Sequence, residues 1–349
     1  MSAANIRETA IALSYRYQSD LQTAAGAGNY WSLTKTNPSL AEITLATETD
    51  AADIGKGHEF AENQYLTNWD VRIPFEKFCS SEILAWLFAF GLGSVTPSTP
   101  ASGAYKYLCT PTNPVDDGIE LPAFTYVEAI RQGGSALFDR ASVGCLINSF
   151  GLSLASGPGR ANCRVTAEFV GCGENASPSG VSIPDTTTEH FLNAASAGIT
   201  ILGSDYVTLK RIVSLDLGWN NNIRLPQGFY PGSGTSQGAA VRGRMEHGDR
   251  EASLSFVVRM ESTSDELAKL LAQTEGTAAI TLQGNLITGS TYNSAVMTFH
   301  SVRISSAVIG DDSGIVTIQC QCQPFYTDSD GIVTFEATTQ TANIGAEEA

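Results

Sequence analysis

One piece of this chain occurs twice, and that constrains the fold more than any other feature. "VRIPFEKFCSSEILAWLF" (Val71 to Phe88) reads as an alternating strand running into a helix, and "LSFVVRMESTSDELAKLL" (Leu254 to Leu271) reads the same way. Ser81, Leu84, Ala85 and Leu87 recur as Ser264, Leu267, Ala268 and Leu270 at one constant offset. Ser81 and Ser264, or the residue before each, can cap the exposed N–H groups of the first helical turn. Glu82 and Asp265 add negative charge at the positive end of the helix dipole. Leu84, Leu87 and Phe88, like Leu267, Leu270 and Leu271, fall at i, i+3, i+4 and predict an apolar stripe lying on a sheet. Trp86 stands where the second copy has Lys269, so the side away from the sheet is expected to have diverged.

The neighbouring parts repeat in the same order. In the first half a long loop leads to the strand "TNWDVRIPF" and the helix. A strand near "AYKYLCT" follows, then "AFTYVEAI" and a hairpin from Val143 to Gly171. In the second half a long loop leads to "EASLSFVVRM" and the helix, then "AAITLQG", "SAVMTFH" and a hairpin from Ser301 to Phe325. Within that last hairpin Val316, Ile318, Cys320 and Cys322 share one face, and Thr317, Gln319, Gln321 and Gln323 the other. The first half carries an extra Pro-rich stretch, "SVTPSTPASGAYKYLCTPTNPVDDGIELP". We read a tandem duplication with units at 40–172 and 205–326. An N-terminal arm with the first strands (1–39), a linker (173–204) and a C-terminal arm (327–349) complete the chain. The fold class expected is mainly β with a few short helices: two tandem β-sandwich or barrel units, each flanked by one helix.

Composition agrees. The chain has 349 residues, enough for two ordinary units with real cores. It is 42% hydrophobic and only 16% charged, and its 33 glycines favour many turns over long helices. A net charge of −16 argues against gripping nucleic acid, which usually needs a basic face. No apolar run reaches the length of a membrane span, and the N-terminus lacks a signal-peptide pattern, so synthesis in the cytoplasm and no membrane partner are expected. The seven cysteines are odd in number, contain no Cys-x-x-Cys and read as small buried hydrophobes.

Chemistry is hard to find. His58, His190, His247 and His300 have no metal-ligand spacing to one another or to a cysteine. "GSGTSQG" (Gly232 to Gly238) lacks the Lys-Ser/Thr of a phosphate loop, and no Gly-x-Ser-x-Gly elbow occurs. Glu189–His190 reads as a solvated pair in the linker. No catalytic, cofactor-binding or metal-binding residues are assigned, no cofactor is expected, and the chain does not read as an enzyme.

The two long loops are the charged features. Glu48, Asp50, Asp53, Glu59 and Glu62 stand against Lys56 in the first; Arg224, Arg242, Arg244 and Arg250 stand against Glu246 and Asp249 in the second. A basic loop in an acidic chain suits an acidic partner, and the acidic loop of the other unit is a candidate.

The order of parts resembles the tail tube proteins, or major tail proteins, of long-tailed bacteriophages. The closest likeness lies in "NWDVRIPFEKFCSSEILAWLFAFGLG" followed by "LPAFTYVEAIRQGG", and the resemblance covers about 40–326. It implies a β-sandwich flanked by one helix and six such domains per ring, their sheets joined into an inner barrel and the rings stacked into a tube. A chain with two domains implies a ring of three chains with pseudo-sixfold symmetry. The resemblance further implies a virion protein of the tail, conducting DNA ejection into the host. Partners would be its own copies, tape measure, terminator and baseplate or tip proteins, and double-stranded DNA passing without specific binding. It makes the long loops, with Glu48, Asp50, Asp53, Glu59, Glu62, Arg224, Arg242, Arg244 and Arg250, candidates for ring stacking, and Gln319, Gln321 and Gln323 candidates for the lumen wall. The rival reading is a two-domain β-sandwich binding module or adhesin, with Trp219, Phe229 and Tyr230 as its exposed aromatics.

Overall fold

A computed structural model describes residues 9–17, 24–26, 28–32, 41–49, 64–113, 120–132, 135–156, 163–171, 173–175, 188–224 and 245–347. Asp50, Asp53, Glu59, Glu62, Phe229, Tyr230, Arg242, Arg244 and Cys172 lie outside the described residues, and of Glu48 only the backbone is described.

The first half contains β1 (Thr9–Ser14), β2 (Tyr30–Ser32), β3 (Glu42–Thr49), β4 (Gln64–Phe78) and α1 (Ser81–Leu92). It continues with β5 (Gly93–Ala101), β6 (Ala104–Pro111), β7 (Phe124–Gln132), β8 (Ser135–Ala155), β9 (Cys163–Gly171) and β10 (Gly173–Asn175). The second half contains β11 (Asn193–Ile201), β12 (Ser204–Asp205), β13 (Ile212–Asn220), β14 (Glu251–Arg259) and α2 (Glu266–Leu271). It ends with β15 (Gly276–Thr288), β16 (Thr291–Asp312), β17 (Ile315–Pro324) and β18 (Val333–Thr339). The protein is mainly β with two short helices. Ladders link all 18 strands into one antiparallel sheet, which is not closed into a barrel.

Six ladders occur twice. β3–β4, β4–β9, β9–β8, β8–β7, β7–β1 and β8–β10 in the first half correspond to β13–β14, β14–β17, β17–β16, β16–β15, β15–β11 and β16–β18 in the second. Even the irregularity recurs: the β8–β9 register shifts between Ile147 and Ser149, and the β16–β17 register between Ile304 and Ser306. Aligned at this bulge, Ile73 corresponds to Leu254, Phe75 to Phe256, Ala167 to Cys320 and Phe169 to Cys322, and all eight are buried. β8 and β16 are long because each serves two layers. Their N-terminal halves pair with β7 and β15, and their C-terminal halves with β9 and β17. A bulge bends a strand and raises its twist, which lets it cross from one layer to the other.

One layer runs β3-β4-β9-β8-β13-β14-β17-β16 without a break. Its inner face packs on the other strands through aromatic contacts. Phe169 lies 5.1 Å from Phe124, and Phe150 lies 6.3 Å from Phe335, centroid to centroid.

α1 is not a surface helix. Ser80 caps it, accepting a hydrogen bond from the Ile83 N–H at 3.3 Å, and all twelve of its residues are buried. Trp86, expected on a diverged outer side, is 0% exposed; it stacks on Phe90 and donates from Nε1 to the Ser14 carbonyl at 2.9 Å. The helix has no outer side because β5, β6 and β18 pack against it as well as β8 and β16. Gly93 ends it with φ of +98°, a left-handed conformation where a β-carbon is costly. α2 is a shorter, more open counterpart. Leu270 touches the core, but Leu271, expected in the stripe, is 84% exposed because the helix ends there.

Other expectations change in detail. The Pro-rich stretch contains β5 and β6. Among the described residues β5 pairs only with β6, and an edge strand tolerates the missing N–H of Pro97. β11, inside the span assigned to the linker, pairs with β15. β18, inside the span assigned to the C-terminal arm, pairs with both β16 and β6. The six described cysteines are buried, and burial raises the thiols of Cys320 and Cys322 to about 12.

Candidate functional site

The surface this fold is built to present is the outer face of the eight-stranded layer. Strand alternation puts most apolar residues of each strand inward and leaves a largely polar face outside, with Val257 and Val308 standing on it beside Gln319. Crossing it, Arg164 of β9 stands opposite Ser153 of β8, then Asp216 of β13, Ser255 of β14, Gln321 of β17 and Ser306 of β16. Gln319, Gln321 and Gln323 are all exposed on it. The face carries arginines, and three of them are neutralised locally, while Arg259 of β14 stands exposed opposite Thr317. Arg72 pairs with Asp70 at 3.0 Å and Glu168 at 3.1 Å, Arg164 with Glu76 at 2.5 Å, and Arg303 with Glu275 at 2.5 Å. Arg303 and Ser301 hold the Glu275 carboxyl below its ordinary range. The result is a wide wall of serine, threonine, glutamine and self-compensated charge.

The junction of the two halves lies in the middle of this wall. β13 pairs with β14 on one edge and with β8 on the other, Ser214–Asn220 against Ser149–Ala155. Asn221, fully buried just beyond β13, locks the junction. Its Nδ2 donates to the Gly91 carbonyl at 2.8 Å and the Ile147 carbonyl at 2.9 Å, and its Oδ1 accepts from Trp219 Nε1 at 2.9 Å. Trp219 is 3% exposed and thus unavailable as the surface aromatic of a binding module.

Both long loops leave the same end of the wall. The β3–β4 ladder runs to Thr49 opposite Gln64, and the β13–β14 ladder to Asn220 opposite Glu251, followed by a bridge between Arg224 and Glu246. The β8–β9 and β16–β17 turns leave the opposite end, with Asp311 and Asp312 exposed at the second. Arg224 is exposed at the base of its loop. Arg250 is engaged by its own chain: it donates to the Leu92 carbonyl and to Thr112, and lies 5.9 Å from the Trp219 ring centroid. Burial lowers its pKa from the ordinary arginine value.

The charged groups that sequence reading passed over are buried, not catalytic. Glu189 and His190 are not solvated. Glu189 pairs with Lys77, both nearly inaccessible, and burial lowers the Lys77 pKa against the pull of that carboxylate. His190 Nδ1 lies 2.7 Å from Glu82 Oε1, which also accepts from Thr339 Oγ1 at 2.8 Å. In the second half Arg211 donates to both oxygens of Glu266 at 2.8 and 2.9 Å, with both side chains 0% exposed, and Tyr206 donates to the same carboxylate at 3.1 Å. The first cluster fastens the 189–190 segment to the start of α1, and the second fastens Tyr206 and Arg211 to the start of α2. Sequence reading assigned Glu82 and Asp265 to helix-dipole compensation and gave Glu266 no role. Among the described residues no group of histidine, cysteine and carboxylate side chains is placed to hold a metal ion.

No curated protein matches the chain. A family model described as phage tail tube protein matches residues 9–338, which takes in both halves, the doubled ladders and the polar wall. The chain therefore belongs to the phage tail tube protein family, structural components of the virion tail.

Proposed function

We propose that three copies of this chain form a ring with pseudo-sixfold symmetry, and that stacked rings make the conduit through which DNA leaves the virion. The observation that carries the reading is the doubled set of ladders on one unbroken polar wall. Two equivalent units per chain, at 40–172 and 205–326, supply two of the six sectors that such a ring needs. The wall, with Gln319, Gln321 and Gln323, faces the lumen. A polar surface on which Arg72, Arg164 and Arg303 are already paired offers few free cations to replace the counterions of the phosphates, so duplex DNA slides past without sticking. The role is structural, with no catalysis and no cofactor. The ends of the tube meet tape measure, terminator and baseplate or tip proteins.

Stacking uses the ends of the wall. In a head-to-tail stack each long loop meets the turn end of the next ring. The arginine loop, with Arg224, Arg242 and Arg244, then faces Asp311 and Asp312, while Arg250 stays with its own chain. The acidic loop with Glu48, Asp50, Asp53, Glu59 and Glu62 contacts the corresponding turn of the other unit. Electron microscopy of concentrated protein tests the reading. Stacked rings with an axial hole and threefold averaging are expected; a chain that stays monomeric at every concentration overturns it.

A further inference from the structure

Cys79 follows directly on β4 and precedes the Ser80 cap of α1, and Cys163 is the first residue of β9. The β4–β9 register sets Phe78 opposite Arg164, so the next pair is Cys79 opposite Cys163. The Cys79 N–H donates to the Cys163 carbonyl at 3.0 Å. Both side chains continue the inward row of Ile73, Phe75, Ala167 and Phe169, and both are 0% exposed. Their thiols lie in hydrogen-bond contact with each other. Among the described residues no other cysteine faces a cysteine across a ladder. Cys109 stands opposite Val95 and Phe335, Cys145 opposite Phe124, Cys320 opposite Phe256 and Ala307, and Cys322 opposite Leu254 and Ile304.

The second half shows that the backbone does not require cysteine here. Under the bulge alignment Cys79 corresponds to Met260 and Cys163 to Val316. The same bond is made between them, from the Met260 N–H to the Val316 carbonyl at 2.9 Å. A methionine and a valine therefore hold this corner of the ladder as the two cysteines do. What the cysteines add is chemistry. The α-carbons of a hydrogen-bonded antiparallel pair stand about 5.5 Å apart. That lies inside the roughly 4.4–6.8 Å window that a disulfide spans.

We propose that Cys79 and Cys163 are a latent disulfide site, reduced while the chain is made in the cytoplasm and joined on oxidation into a bond that fastens the start of α1 to β9. A virion tail works outside the reducing compartment in which its subunits are made. The reaction is an exchange with a small disulfide oxidant. One cysteine thiolate attacks an oxidant sulfur and releases one thiolate; the second cysteine thiolate attacks the mixed disulfide and releases the other. The pair gives up two protons and two electrons, and the oxidant becomes two thiols. Burial pushes the Cys79 thiol well above its ordinary value, and the neighbouring Cys163 adds to the rise. The pair is therefore inert while the core is closed and reacts as this corner opens. The cysteines are 84 positions apart, and a cross-link between distant residues restricts the unfolded chain more than the folded one.

The test holds the folded full-length chain with glutathione disulfide in urea below its unfolding midpoint, where buried corners open transiently. Unreacted thiols are then blocked, the urea is removed, and the digested peptides are mapped by mass. A peptide pair joined through Cys79 and Cys163 is expected, with a melting temperature a few degrees above that of the same chain kept in reductant. Cys79 and Cys163 both recovered as blocked thiols overturn the proposal, and so does either one joined to a different cysteine. A joined pair that lowers the melting temperature also overturns it, because the folded geometry then does not accept the bond. The variant C79M with C163V installs the residues of the second half and should show no such rise on oxidation. An equal rise in that variant assigns the effect to other cysteines and overturns the proposal. Should the variant not fold, the peptide map of the unmodified chain decides alone.

Discussion

Arg211 and Glu266 show how this fold treats charge. Neither side chain touches water, and Tyr206 and Ser264 complete the cluster around them. Removing one member leaves the other charged and desolvated, so Arg211→Met should cost about 3–5 kcal/mol, whereas R211M with E266L should recover most of that loss. Urea unfolding measures both; equal stability of the two variants would show that the pair is not the cause. His247 is the group to watch on acidification. Burial lowers its pKa from 6.5, assisted by the nearby Arg250 and Arg224 and opposed by its bond to the Gly248 carbonyl and by Glu246. A depressed imidazole pKa means that the fold favours the neutral ring. Its contribution is present above the unfolded value and is lost as pH falls through the folded one. Melting temperature should therefore fall below about pH 6.5 with a component that His247→Gln removes; an identical pH profile in the variant would rule it out. Neither cluster was legible beforehand. The sequence shows that glutamates begin both helices, but Arg211 lies 55 positions from Glu266, and only the fold brings them together.

At the scale of elements, the two helices share a sequence pattern and differ in fate. Alternation found both of them, and found the β8–β9 and β16–β17 hairpins, because that signal is local; the serine cap holds at α1, whereas α2 has no side-chain cap. Burial is not local. Covering α1 takes β18 from the far end of the chain, and the i, i+3, i+4 stripe carries no trace of it. Leu84→Asp buries a charge at a position 1% exposed and should abolish folding in the first half. Leu267→Asp lies at a half-buried position and should cost far less. Comparative yields of soluble protein and melting curves decide this, and equal damage from both would contradict the difference in burial. β5 was missed for a related reason: its prolines mark a loop unless the strand is an edge, and edge position is a property of the assembled sheet.

For the whole molecule, the decisive quantity is the charge on the polar wall rather than the net charge of −16. Gln319→Arg with Gln321→Arg adds cations with no carboxylate arranged beside them. Tubes should still assemble, but they should retain duplex DNA in a manner that weakens steeply with salt. Retention no greater than in the unmodified tube would place those glutamines away from the lumen. The alternation of Gln319, Gln321 and Gln323 revealed one strand of this wall. The neutralisation of Arg72, Arg164 and Arg303 did not show, because their partners sit on neighbouring strands or across a turn.

The β5–β6 hairpin gives the molecule a counting rule. It belongs to the first half alone, and through β6 it caps β18 at the end of the second. Along the polar wall the two halves are near equivalents; at the hairpin they are not. A protein that reads the wall therefore meets two similar sites in every chain, while one that grips the exposed "TPSTP" tip meets a single site per chain. Binding stoichiometry at saturation would tell which of the two surfaces a given partner recognises.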